Sequence, residues 1–226
     1  MITLIHGDDS EKIETSLISI ISTTKPIRID GVKVKLKEFE EQILGGSLFG
    51  EESIFVIENI FKNKKKKELL DLIKENNDNF SGVLVERGKV NKRDLLSIKF
   101  DSIVEHFLPQ YYFKFLDDFY PQNSKSLANL YTKLLKTMTA EQIYYSLVKR
   151  IRGLIAVKLG MTGHSEIARF EPWQLGKLKQ QARMWTEEEL LSFYKKLFEI
   201  EVKMKSSNLP VSLEKYLDMM IRTELN

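Results

Sequence analysis

The chain has 226 residues, of which 42% are hydrophobic and 30% charged, with 35 Lys and Arg against 32 Asp and Glu. That length supports one large domain or two modest ones, and that balance excludes a disordered polymer and a membrane protein in bulk composition. With no cysteine, disulfide staples, thiolate metal sites and cysteine nucleophiles are excluded, and His6, His106 and His164 lie too far apart to suggest a metal site.

The first half alternates short β-like runs with helical patterns, the signature of βαβ units around a mainly parallel sheet. Ile2 to His6 predicts a first strand, ending at Gly7-Asp8-Asp9-Ser10, whose side chains can cap a helix striped by Ile13, Leu17, Ile20 and Ile21. Further strands are predicted at Pro26 to Asp30, Ser53 to Glu58, Gly82 to Glu86 and Ser102 to Leu108, with helices near Leu36 to Leu44, Lys65 to Asn76 and Lys92 to Lys99. After Pro109 no strand pattern follows. Helices are predicted at about 111–120, 124–137, 140–159, 172–184, 187–206 and 211–224. Ile143, Leu147, Ile151, Leu154 and Ile155 mark one apolar face, and Leu213, Leu217, Met220, Ile221 and Leu225 another. Thr186 with Glu189 is a capping box. The expected division is an α/β domain at 1–109 and an all-α domain at 110–226.

Charge divides with the pattern. Residues 1 to 110 carry 17 Lys and Arg against 19 Asp and Glu, whereas residues 111 to 226 carry 18 against 13, so the second half is the expected polyanion contact. The dense run Lys62 and Lys64 to Lys67 reads first as a solvated loop, with direct polyanion contact as its rival. Apolar runs such as Met1 to Ile5 are far shorter than the roughly 18 residues that span a bilayer, so no membrane contact is expected. No secretory signal is visible, which predicts a cytoplasmic protein.

Catalytic motifs are missing. The first strand–turn–helix is where an α/β nucleotide-binding protein keeps its phosphate loop, but Gly7 to Lys12 offers one glycine and three carboxylates. Lys12 lacks the glycine before it and the Ser or Thr after it, and Glu58 at a strand end reads as a surface acid. Neither a catalytic residue nor a cofactor is predicted. Between a helix and a strand, Gly45-Gly46-Ser47-Leu48-Phe49-Gly50 implies a tight helix exit that leaves Leu48 and Phe49 at a turn, as core residues or as an exposed plug for a partner's pocket. Trp173 opens a helix carrying Lys177, Lys179 and Arg183. A tryptophan there is core, or a rim residue that stacks on a nucleobase beside cations.

These segments together resemble a family. The ordered set His6-Gly7-Asp8-Asp9, Ser47-Leu48-Phe49-Gly50, Phe55-Val56-Ile57-Glu58-Asn59, Val83-Leu84-Val85-Glu86 and Lys89-Val90-Asn91-Lys92-Arg93 is similar to the N-terminal domain of the DNA polymerase III delta subunit, the clamp-opening member of the bacterial clamp loader. Pro172-Trp173-Gln174, Gln181-Ala182-Arg183, Glu188-Glu189-Leu190-Leu191, Lys205 and Leu213-Glu214 follow in the order of that family's C-terminal helical collar. The resemblance implies an AAA+-like α/β fold, a parallel five-stranded sheet without a phosphate loop, followed by an all-α collar-like domain. It implies Leu48 and Phe49 as residues that enter a pocket of the sliding clamp, and Trp173 as a contact to primed DNA. Other clamp-loader subunits are the remaining implied partners. Where family members carry a helical lid, Leu108-Pro109-Gln110 leads almost directly into the collar-like helices, so the lid reads as deleted. A divergent AAA+ nucleotide hydrolase and a nucleic-acid-binding helical adaptor are the competing expectations.

Overall fold

A computed structural model of the chain describes residues 1–21, 26–48 (46–48 as backbone alone), 54–76, 80–161, 163–168 and 170–226. The chain forms two compact units, Met1–Leu108 and Pro109–Asn226.

The first unit is a parallel sheet with helices on both faces. Its strands are β1 (Ile2–Gly7), β2 (Ile27–Asp30), β3 (Phe55–Glu58), β4 (Gly82–Arg87) and β5 (Ser102–His106), in the spatial order β2-β3-β4-β1-β5. Every strand pair is parallel. Strands covered on both faces need continuous apolar runs rather than alternation, which is why β1 reads Ile-Thr-Leu-Ile-His-Gly and is buried throughout. One face packs Ile2, Leu4, Phe55, Ile57 and Leu84 against Phe39 and Ile43 of α2 (Leu36–Leu48) and Leu69, Leu70 and Ile73 of α3 (Lys66–Glu75). The other packs Ile5, Val56, Val83 and Val85 against Ile13 and Leu17 of α1 (Ser10–Ile21).

Two elements differ from the sequence expectation. α2 does not stop at Leu44 but runs through Gly45 and Gly46 to Leu48, because the helix cost of glycine, about 1 kcal/mol each, is small against the packing of Phe39 and Ile43. The helix expected over Lys92 to Lys99 is a single turn, α4 (Lys92–Leu95), capped by the Asn91 side chain, which accepts from the Asp94 amide at 2.9 Å.

The second unit is all helical: α5 (Gln110–Asp117), α6 (Ser124–Leu134), α7 (Ala140–Lys158), α8 (Pro172–Arg183), α9 (Glu187–Lys205) and α10 (Leu213–Glu224). One apolar cluster joins all six helices, and Ile143, Leu147, Ile151 and Leu154 of α7 lie buried within it. Capping boxes start α7 at Thr139 with Gln142, α8 at Glu171 with Gln174, and α9 at Thr186 with Glu189. Buried phenols tie the helices together: the Tyr144 hydroxyl donates to the Leu197 carbonyl at 2.7 Å and the Tyr131 hydroxyl to the Glu214 carbonyl at 3.0 Å. Burial pushes both phenols well above the ordinary tyrosine range.

Candidate functional site

The turn between β1 and α1 is the position where this topology would bind a phosphate, and its amides are already used. Gly7 sits at φ +148°, and a Cβ there would lie 1.8 Å from the His106 carbonyl oxygen, so only glycine admits β5 this closely. That same carbonyl accepts from the amides of Asp8 and Asp9, both at 3.0 Å. The Asp8 carboxylate accepts from the Leu108 amide at 2.6 Å, and Asp9 accepts from the Lys12 amide at 3.2 Å while pairing with the Lys12 ammonium at 3.2 Å. Thus Asp9 provides the helix cap expected of this turn, and Asp8 instead fastens the end of β5. An incoming phosphate would have to displace a backbone carbonyl and face two carboxylates. Glu58 pairs with Arg28 at 3.2 Å.

Of the pair proposed as a plug, Phe49 lies outside the described residues, and Leu48 is described only as the backbone end of α2. The tight exit at Gly45 is not observed, since the helix continues past it.

In the helical unit the two tryptophans separate. Trp185 is 3% exposed and donates its indole N–H to the Phe119 carbonyl at 3.2 Å, so it belongs to the core. Trp173 is 62% exposed in the first turn of α8, after Pro172, whose fixed φ suits a helix start. The Lys177 ammonium lies 5.7 Å from the centre of the Trp173 ring, as their four-residue separation on one helix face predicts. Lys179 and Arg183 are exposed but stand on another part of the helix surface, since about 100° of rotation per residue carries them away from Trp173. The structure therefore brings Trp173 and Lys177 together and leaves Lys179 and Arg183 as a separate basic pair.

Beside Trp173 opens a cavity of about 340 Å³ that sequence reasoning missed. Phe113 and Leu116 of α5, Arg150 of α7, and Phe170 and Leu178 are among its walls. Close packing of α7 on α8 is set by Gly153, where a Cβ would come within 3.3 Å of Leu178. Asp117 holds the floor together, bonding the Arg150 guanidinium and the Lys177 ammonium, the latter at 3.2 Å. Burial pulls the Arg150 guanidinium below its usual range, against the opposing pull of Asp117, and its Nε–H has no hydrogen-bond partner among the described residues. No periodicity links Asp117 to Arg150 or Lys177, so only the fold could reveal the cluster. Chemically it is an aromatic surface with a cation above one ring and an apolar recess beside it, which suits a flat apolar group carrying negative charge. Among the described residues no group of three or more His, Asp or Glu side chains is arranged to hold a metal ion, and no helix is long and apolar enough to cross a membrane.

Residues 110–221, which include every residue of this aromatic and basic cluster, match the family model of the DNA polymerase III delta subunit, C-terminal domain. Among solved structures, the Bacillus subtilis DNA clamp loader delta protein (YqeN) aligns at 14% identity over 99% of this chain and 94% of its own length, with a TM-score of 0.43. No curated protein matches the chain. The chain therefore resembles the DNA polymerase III delta subunit, and it does so through the helical unit that carries Trp173 and its neighbours.

Proposed function

We propose that the chain is a clamp-loader delta-like subunit of the replication machinery, acting in the cytoplasm without nucleotide turnover of its own. It binds a sliding clamp through Leu48 and Phe49 of its α/β domain, residues 1–109, and helps to open or load that clamp on primed DNA. The collar-like domain, residues 110–226, joins other loader subunits and contacts DNA through Trp173 and Lys177, with Lys179 and Arg183 as a second basic pair. The observation that carries this reading is the match of residues 110–221 to the delta C-terminal domain. The occupied amides of the β1–α1 turn support the lack of nucleotide turnover, because the His106 carbonyl sits where a phosphate would need them.

The test is capture of the organism's own sliding clamp by the full chain. The wild type should retain the clamp, and Leu48→Ala with Phe49→Ala should weaken binding by several kcal/mol while the melting temperature changes little, as buried contact area at roughly 1.5 to 3 kcal/mol per large side chain implies. Intact clamp binding with a collapsed melting temperature would return the pair to the core and overturn the clamp contact. Saturable ATP binding abolished by Lys12→Ala would favour a nucleotide hydrolase instead. Trp173→Ala should weaken binding to a primer–template junction by about 1 to 3 kcal/mol if the indole stacks on a base.

A further inference from the structure

The α/β unit, whose net charge is not basic, carries a concentrated cationic surface at the carboxyl ends of β3 and β4. Lys62, Lys64, Lys65, Lys66 and Lys67 follow β3, and Arg87, Lys89, Lys92 and Arg93 end or follow β4; Glu68 and Asp94 are the anionic side chains in the same two segments. β3 and β4 are hydrogen-bonded neighbours, in register from Phe55 with Gly82 to Glu58 with Val85, so the segments leave the sheet side by side. Cross-bonds hold them there. The Lys62 ammonium donates to the Arg87 carbonyl at 3.3 Å, the Phe61 amide to the buried Glu86 carboxylate at 2.9 Å, and the Lys66 ammonium to both Asp94 oxygens at 2.8 and 2.7 Å. Asn63 fastens the first segment to the Gly31 carbonyl at 2.7 Å.

Most of this charge is unspent. Among the described residues Lys62 bonds only neutral oxygens, those of Asn59 and Arg87. Lys64, Lys65, Lys67, Lys89, Lys92 and Arg93 are exposed and make no ion pair among the described residues. Lys65, Lys66 and Lys67 also stand at the start of α3, the positive end of its dipole, where cations are disfavoured. A sequence optimised for stability alone would place carboxylates there.

We infer that this surface binds the phosphate backbone of nucleic acid, independently of base sequence and separately from Trp173. The composition favours a phosphate strand over an acidic protein. Protein interfaces centre on apolar, charge-depleted patches, whereas residues 59–68 and 87–96 expose a single large hydrophobic residue, Leu96, and no exposed aromatic ring. Lysine point charges on fixed loops position a phosphate backbone without reading bases.

The test measures affinity of the full chain for a mixed-sequence DNA duplex between about 50 and 200 mM salt, where each neutralised phosphate contributes roughly 0.9 to the slope of log affinity on log salt. Replacing Lys64, Lys65, Lys67, Lys89 and Arg93 by alanine should lower affinity at the lower salt at least about tenfold and make the slope shallower by about three or more. The glutamine version, which keeps the aliphatic stems, should do the same and replaces the alanine version should that fail to fold by circular dichroism. Trp173→Ala, run in parallel, should leave the slope within about one of the wild type. An unchanged slope in a folded five-site variant would overturn the inference whatever Trp173→Ala does, and so leaves the helical-unit contact to be judged on its own. Binding of polyglutamate as tightly as the duplex would overturn it in favour of an acidic protein.

Discussion

In the α/β unit Asp9, Glu86 and Asp94 are buried at the carboxyl ends of the strands, where together with the exposed Asp8 they hold backbone amides and lysines. In the helical unit the polar groups lie between elements, where Tyr131, Tyr144, Gln181 and Trp185 each reach a carbonyl of another element or the turn that follows it. The difference follows from backbone chemistry. A parallel sheet satisfies its own amides along the strands and leaves the loops at their ends as the place where polar groups must be answered. A helix satisfies itself internally and leaves its last carbonyls unpaired, so Gln181 and Trp185 complete the end of α5 at the Phe119 carbonyl, while Tyr131 and Tyr144 add a second bond to carbonyls within α10 and α9. Polar function in the first unit is therefore confined to loops, while the second can present an aromatic residue on a rigid helix.

The comparison is most easily broken at the two tryptophans. Trp185→Ala should cost about 3 to 5 kcal/mol in chemical denaturation, since it empties a site packed by Phe119 and Phe193, whereas Trp173→Ala should stay within about 0.5 kcal/mol of the wild type. Equal costs would mean that Trp173 is part of the core after all. Next in size is Asp117→Ala, which strips the carboxylate from a guanidinium whose side chain is only 14% exposed and should cost about 1 to 3 kcal/mol. Its nucleic-acid affinity should not fall, because the change frees Lys177 from its ion pair; a fall measured by fluorescence anisotropy would mean that Asp117 is needed to position the lysine.

At the sheet edge the expected effects are smaller. Asp8→Ala leaves the Leu108 amide without its acceptor and should cost about 1 kcal/mol by denaturant titration, with no gain of ATP binding, because the His106 carbonyl still occupies the turn. Appearance of nucleotide affinity would show that the carboxylate alone closed the site. Glu86 gives the pH signature. It is 3% exposed, and burial raises its carboxyl above the ordinary range against the opposing pull of the Phe61 amide and Lys62. An acid whose folded value is raised binds more protons folded than unfolded, so stability falls as pH rises from its unfolded value through the raised one. Glu86→Gln keeps an acceptor for the Phe61 amide and should flatten that decline, with a higher melting temperature at neutral pH. A decline that persists unchanged would assign it to other groups.

Much of the architecture is legible in the residues because it rests on local periodicity. Continuous apolar runs identified the parallel strands, the stripes of α7 and α10 identified their buried faces, and Thr186 with Glu189 identified the start of α9. The ends of α2 and α4 differ from expectation because glycine and propensity act locally: the packing of Phe39 and Ile43 carries α2 past its glycines, and α4 stops where Ser97 turns back to bond the Asp94 carbonyl.

Charge totals hide detail in another way. Halving the chain marks its second half as the basic one, and the nine cations that end or follow β3 and β4 are offset in the total by acidic residues elsewhere in the first half. A net charge averages over the surface, and only strand pairing brings two distant segments to one edge. The sequence by itself determined that Gly7 to Lys12 carries one glycine and three carboxylates, a composition that disfavours an anion. Only the tertiary structure decided that the His106 carbonyl fills that turn, that Trp173 rather than Trp185 faces solvent, and that Asp117 joins Arg150 to Lys177. These are contacts between residues far apart in the chain, and chain spacing carries no record of them.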